Sequence, residues 1–222
     1  MIFTLLQVEQ EVVNYSLIKM AVKGGWLMLV LLALSLLALY IFGKKLWMIH
    51  KAGQIEDRFL DDIRQYVNAG NYKSAKTLCA HFDSPVSRMT AVGLGKVGRS
   101  AAEIQAAMES HANSEIARLE NGLPYLATIS GGAPMIGFLG TVIGMIQAFF
   151  NMANAGNNID ITLLSSGIYT AMITTVGGLI VGILAYFGYN FLNARIQNLT
   201  YKMQETADGF VEMVSRQGNL SE

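Results

Sequence analysis

The chain has 222 residues, 52% of them hydrophobic and only 14% charged, with 16 Lys and Arg balanced by 16 Asp and Glu. A water-soluble domain carries about 25% charged residues, so this composition excludes an ordinary soluble fold, and the neutral balance gives no case for a nucleic-acid partner. The deficit is concentrated in three runs: 24–43, the stretch between Glu120 and Asp160, and the stretch between Asp160 and Arg195 contain no charged side chain.

A helix needs about 20 apolar residues to cross a bilayer core of about 30 Å. The expected architecture is therefore an all-α polytopic membrane protein with three transmembrane helices and long cytoplasmic helical extensions. In chain order, 1–23 reads as an amphipathic helix on the outer surface, with Ile2, Leu5, Leu6, Val12, Val13 and Leu17 on one side. Residues 24–43 form the first span, bracketed by Trp26 and Trp47 at the interfaces. The run is too long for a signal-peptide core and leads into "GKKLW" rather than a cleavage site, so it is read as retained. Residues 44–126 form a helical region with breaks at "NAGNY" (68–72) and "HFDSP" (81–85), and 86–120 reads as helix. The second span is 127–150, a turn follows at 151–162, the third span is 163–188, and 189–222 is an amphipathic C-terminal helix.

Eleven of the 16 Lys and Arg lie in 44–122, three follow the third span, and the 151–162 turn has none. The positive-inside rule puts 44–126 and the C-terminus in the cytoplasm, and the N-terminus and the turn in the periplasm.

Several motifs carry no chemistry. "GLGKVG" (93–98) matches a dinucleotide-binding pattern but follows no strand signal. Cys79, His81 and Asp83 form C-x-H-x-D, which lacks a fourth metal ligand. No H-E-x-x-H or G-x-S-x-G occurs, so no metal, cofactor or catalytic residue is expected. The lone Cys79 allows no internal disulfide.

The second and third spans are unusual in another way. "GGAPMIGFLGTVIGMIQAFF" (131–150) carries Gly140, Gly144 and Ala148 at spacings of four, besides Gly137 and a kink-prone Pro134. The third span carries Gly167, Ala171 and Thr175 at the same spacing, then Gly178 and Gly182. In lipid, helices associate by close packing rather than by a hydrophobic drive, and small residues permit that approach. The leucine-rich first span lacks such a strip, so it is expected to face lipid while the other two pack against protein. The smooth strips also suit one helix sliding past another. Counting 1.5 Å per residue from the turn places Thr141 and Thr175 at nearly equal depth near mid-membrane. With Thr170 and Thr174 they either hold backbone carbonyls and neighbouring helices or line a passage that solvates a moving proton. No Asp, Glu, Lys, Arg or His lies in the spans, so a titratable group would have to come from another chain.

The A-P-x-x-G-x-x-G-T-V-x-G run from Ala133 to Gly144, followed by "GIYTAMITTVGGLIVGILAYFGYN" (167–190), resembles the paired signature of the MotA/TolQ/ExbB proton-channel family. The three-span plan is most similar to its ExbB and TolQ branch, and the resemblance covers about 17–200. It implies a homo-oligomeric ring, usually a pentamer, in the bacterial inner membrane, whose second and third spans surround single-span ExbD- or TolR-like helices. The partner supplies a membrane Asp, and the complex uses the proton-motive force for envelope work, such as outer-membrane import through a TonB-like protein, or TolQ-type envelope maintenance, or a motility or secretion drive. Thr141 and Thr175 match the family's two pore threonines. Many ExbB sequences carry Glu five residues before the second of these; Thr170 stands there instead. A passive membrane scaffold is the reading from a different class.

Overall fold

The computed structural model describes residues 25–53, 58–154 and 161–220, with side chains omitted at 58, 161–163 and 217–220. The expected N-terminal amphipathic helix, 1–23, lies outside the described residues. The described residues form seven helices: α1 (Trp26–Ala52), α2 (Arg58–Asn68), α3 (Tyr72–His81), α4 (Pro85–Leu94), α5 (Ala101–Glu120), α6 (Leu123–Asn154) and α7 (Ile161–Leu220). No strand occurs among the described residues. Parts of α1, α6 and α7 are long and apolar enough to cross a membrane. Each is longer than the span read from the sequence. The third span and the amphipathic C-terminal helix run on as one helix, since no proline interrupts α7 and Gly209 is passed without a turn. Residues 151–154 and 161–162 of the expected turn are helical.

One compact unit comprises α1 up to Ile41, α6 from Pro124 and α7 up to Tyr189. Its centre is the antiparallel contact of α6 with α7, where small residues bring the two backbones together. A Cβ added to Gly178 would lie 2.5 Å from the Ala133 carbonyl oxygen and 2.9 Å from Gly137 Cα. One added to Gly144 would lie 2.6 Å from Ala171 Cβ, and one on Gly182 2.5 Å from Pro134 Cγ. Helix α1 is not wholly turned outward, which corrects the expectation for the first span. Leu27, Leu31 and Ala38 are buried, and Leu27 and Met28 reach the glycines Gly140 and Gly177 of the hairpin. Its Leu29, Leu32, Leu36 and Leu39 are exposed, as are Phe138, Ile146, Phe150, Ile183, Leu184 and Phe187 of the hairpin. So much apolar surface requires lipid or protein to cover it.

The second unit comprises 42–123 and 190–222. Its helix ends explain its path. Gly70 (φ +68°) closes α2, with Asn71 N–H donating to the Tyr66 carbonyl at 2.9 Å and Gly70 N–H to Val67 at 2.9 Å. Asn71 then caps α3, its Oδ1 accepting from Ser74 N–H at 3.1 Å. Ser84 and Ser87 form a reciprocal capping box around Pro85 at the start of α4. The continuous helix expected over 86–120 is broken at 95–100. Gly98 adopts φ +92°, and Ser100 caps α5 by accepting from Glu103 N–H at 3.3 Å. The "GLGKVG" motif is thus the end of α4 and the turn after it.

Between these helices lies an apolar core that includes Phe59, Ile63, Met89, Ile104, Met108 and Met203. Two polar devices join it. Lys45 of α1 is buried and donates to the carbonyls of Arg118 and Leu119 at 3.3 and 3.1 Å, placing an ammonium on the C-terminal end of α5. Arg88 of α4 donates twice to buried Glu115 of α5, at 3.0 and 2.7 Å, and once to Asp83 at 2.6 Å. Asp83 also accepts from Lys51 at 3.0 Å. Those pairings occupy the carboxylate of the C-x-H-x-D motif, while burial pushes the Cys79 thiol up to about 11.

Two predictions follow from this packing. Gly178→Ala should lower the stability of the purified protein by about 1–3 kcal/mol, because the obstructing atoms are backbone. Gly131→Ala, which meets nothing within 4 Å, should be neutral or stabilising by up to about 1 kcal/mol; thermal unfolding in detergent compares them. Arg88 holds the Glu115 carboxyl below the usual carboxylate range. A folded-state value below the unfolded one of about 4.3 gives stability that is complete above that pH and lost as pH falls through the folded value. Glu115→Gln should therefore cost about 1 kcal/mol at pH 7, and the gap between it and the wild type should close as melts are taken below about pH 4.

Candidate functional site

The α6–α7 hairpin brings the threonines and glycines singled out in the sequence to one place. Facing positions run Gly182 to Pro134, Gly178 to Ala133 and Gly137, Thr174 to Gly140, Ala171 to Gly144 and Gly167 to Ala148. In that order the strip on α7 steps by four, four, three and four. The sequence pattern took it through Thr175; the structure takes it through Thr174. A helix has 3.6 residues per turn, so a strip that always steps by four drifts around the axis, and a single step of three brings it back. Thr174 is consequently buried, 2% exposed, against Gly140. It belongs to the contact within the hairpin. The two glycine strips face each other within one chain.

Thr175, one position on, lies half-buried at the edge of the strip. Its hydroxyl donates across the hairpin to the Gly137 carbonyl at 2.9 Å. Thr174 Oγ1 is 2.7 Å from the Ala171 carbonyl of its own helix and 3.4 Å from Gly137 O. A hydroxyl has one proton, and the shorter contact takes it. Thr141 is also half-buried and donates to the Phe138 carbonyl at 2.6 Å. Since Gly140 faces Thr174, Thr141 and Thr175 differ in level by about two residue rises, or roughly 3 Å. Thr170 is half-buried one turn nearer the hairpin end. Pro134 sits inside the helix rather than ending it and packs on Gly182.

The chemistry open to this arrangement is limited and specific. Both Thr141 and Thr175 donate their proton to a backbone carbonyl, which leaves the lone pairs of each oxygen to accept a hydrogen bond from another group. The segments around them hold no acid or base, and no cluster of His, Cys, Asp or Glu among the described residues could hold a metal. The interhelical role of the Gly137 carbonyl was not visible in the sequence, because a backbone acceptor leaves no mark on residue type.

Comparison with known proteins places the chain in a family. The pattern of the MotA/TolQ/ExbB proton channel family matches residues 81–205, more than half of the chain, spanning both threonines. An ExbB-like biopolymer transport protein of Synechocystis sp. is 33% identical over 173 residues, 77% of this chain and 68% of that protein. An ExbB homologue of Methanothermobacter thermautotrophicus is 28% identical over 220 residues, 95% of this chain and 77% of that protein. The Tol-Pal system protein TolQ of Haemophilus influenzae is 35% identical over 111 residues, half of this chain and 48% of that protein. With three membrane-spanning helices and this match across its hairpin, the chain belongs to the MotA/TolQ/ExbB proton channel family.

Proposed function

We propose that this chain is an ExbB-like, non-enzymatic wall subunit of a proton-driven inner-membrane complex. Several copies, by analogy a pentamer, surround a single-span ExbD- or TolR-like partner whose membrane Asp carries the proton. The N-terminus and the α6–α7 turn lie on the periplasmic side and the second unit in the cytoplasm, in keeping with the distribution of Lys and Arg. Passage of one charge down 100 mV releases about 2.3 kcal/mol, which the complex would spend on envelope work such as TonB-dependent import.

The observation that carries this reading is the state of Thr175. Its proton is held by Gly137 O at 2.9 Å, and the segment around it has no titratable side chain. An acceptor at that depth suits a protonated carboxylic acid, which donates a hydrogen bond, better than a carboxylate, which needs donors. The partner's acid would thus be neutral while it passes the threonine level, formed by Thr141, Thr175 and Thr170 of each copy. Thr170 stands where many relatives have Glu, so the partner acid would carry the whole titration. Envelope maintenance with a TolQ-like complex is the second reading, favoured by the 35% identity to TolQ over 111 residues. A passive scaffold would share the fold but move no protons.

Thr175→Val and Thr175→Ser test the mechanism together. Valine removes the bond to Gly137 and should lower hairpin stability by about 0.6–1.7 kcal/mol; serine keeps it. In vesicles containing the chain and its single-span partner, proton flux should fall at least tenfold with valine and persist with serine. Undiminished flux in the valine variant would show that the hydroxyl is not on the path. No flux in any vesicle containing both proteins would favour the scaffold.

A further inference from the structure

A second feature lies where α1 and α7 leave their apolar segments. A cavity of about 350 Å³ opens there, within the size range of small-ligand sites. Leu46 and His50 of α1 form part of one wall, and Phe191, Arg195, Asn198 and Lys202 of α7 the other. Among the described residues no carboxylate lines it. Among the described residues neither Arg195 nor Lys202 forms an ion pair, and Arg195 is steadied over the Phe191 ring at 5.3 Å from its centre.

The order of these residues is informative. Phe191, Arg195, Asn198 and Lys202 recur at four, three and four, which places them on one face of α7. Along that face the side chains change from aromatic to guanidinium, amide and ammonium. Along α1, Leu46 precedes His50 in the same sense. Both helices have just left charge-free runs: Lys44 is the first charge after 24–43, and Arg195 the first after Asp160. Phe191 to Arg195 is a rise of about 6 Å, comparable to the thickness of one headgroup layer. An apolar floor grading into cations over that distance matches a lipid lying along the helices, with its acyl chains beside Leu46 and Phe191. A soluble anion would need only the cations.

We propose that this cavity binds the phosphate headgroup of an acidic phospholipid in the leaflet next to the second unit. The guanidinium of Arg195 takes the phosphodiester oxygens, Asn198 donates to the same group, and Lys202 neutralises it from the aqueous side. The site does not depend on whether the chain conducts protons.

The test uses the full-length protein, purified in detergent, delipidated and weighed intact by native mass spectrometry during titration with phosphatidylglycerol or phosphatidylcholine of identical acyl chains. Phosphatidylglycerol adducts should form at concentrations at least tenfold below those needed for phosphatidylcholine. The double variant Arg195→Gln/Lys202→Gln should lose that preference, while its oligomer mass in the same spectra shows that assembly is intact. Equal binding of the two lipids, as expected if a neighbouring copy fills the cavity, would overturn the proposal, as would an unchanged preference in the double variant. A third arm adds glycerol phosphate: failure to displace phosphatidylglycerol is expected, and displacement at equal concentration would reassign the site to soluble phosphates.

Discussion

Two membrane-compatible helices can approach each other closely only if side chains are absent from their contact, and the α6–α7 hairpin is built on that constraint. Gly137 and Gly178 meet at the centre, with Ala133, Gly144, Ala171 and Gly182 extending the contact on either side. The approach brings the Gly137 carbonyl within 2.9 Å of the Thr175 hydroxyl. With a bulkier pair, the helices would separate and the hydroxyl would turn back to its own helix or to water. The glycines are therefore the reason the threonine has an interhelical partner, and that partner decides which side of the hydroxyl's chemistry faces outward.

The second unit follows a different rule. It has enough charge to live in water and uses it at helix ends. Lys45 sits on the C-terminal carbonyls of α5, Arg88 ties α4 to α5 through Glu115, and Asn71 ends one helix and starts the next. After α5 the chain turns at Gly122, φ +97°. Lys45 is close enough to constrain that corner, since a Cβ on Gly122 would lie 3.3 Å from its Cε.

Much of this was legible in the residues, for reasons that are physical. Long charge-free runs permit few structures other than spanning helices. "NAGNY" and "HFDSP" carry their own cap and breaker chemistry, so they stop helices wherever they occur. The break at 95–100 is masked by the apolar rhythm around Gly95 and Gly98, although Ser100 with Glu103 three residues on is an N-terminal signature. The phase of the α7 strip is not legible to one residue because spacing alone does not say where a step of three replaces one of four; only the facing helix decides that. Burial of Lys45 rather than Lys44 has no sequence signal, since adjacent lysines look alike until α5 packs against one of them. The role of α1 was half legible. Its leucines predict lipid, and most face outward, but Leu27, Leu31 and Ala38 are turned in.

The uncharged character of all three spans has a consequence for assembly. Helices free of ionisable groups can enter a bilayer one at a time without the cost that a charge at its centre imposes. On the proposed function, a ring that formed before its companion arrived would contain no station at which a proton could pause. It would hold the ion gradient intact, and the membrane could carry surplus empty rings without dissipating its voltage.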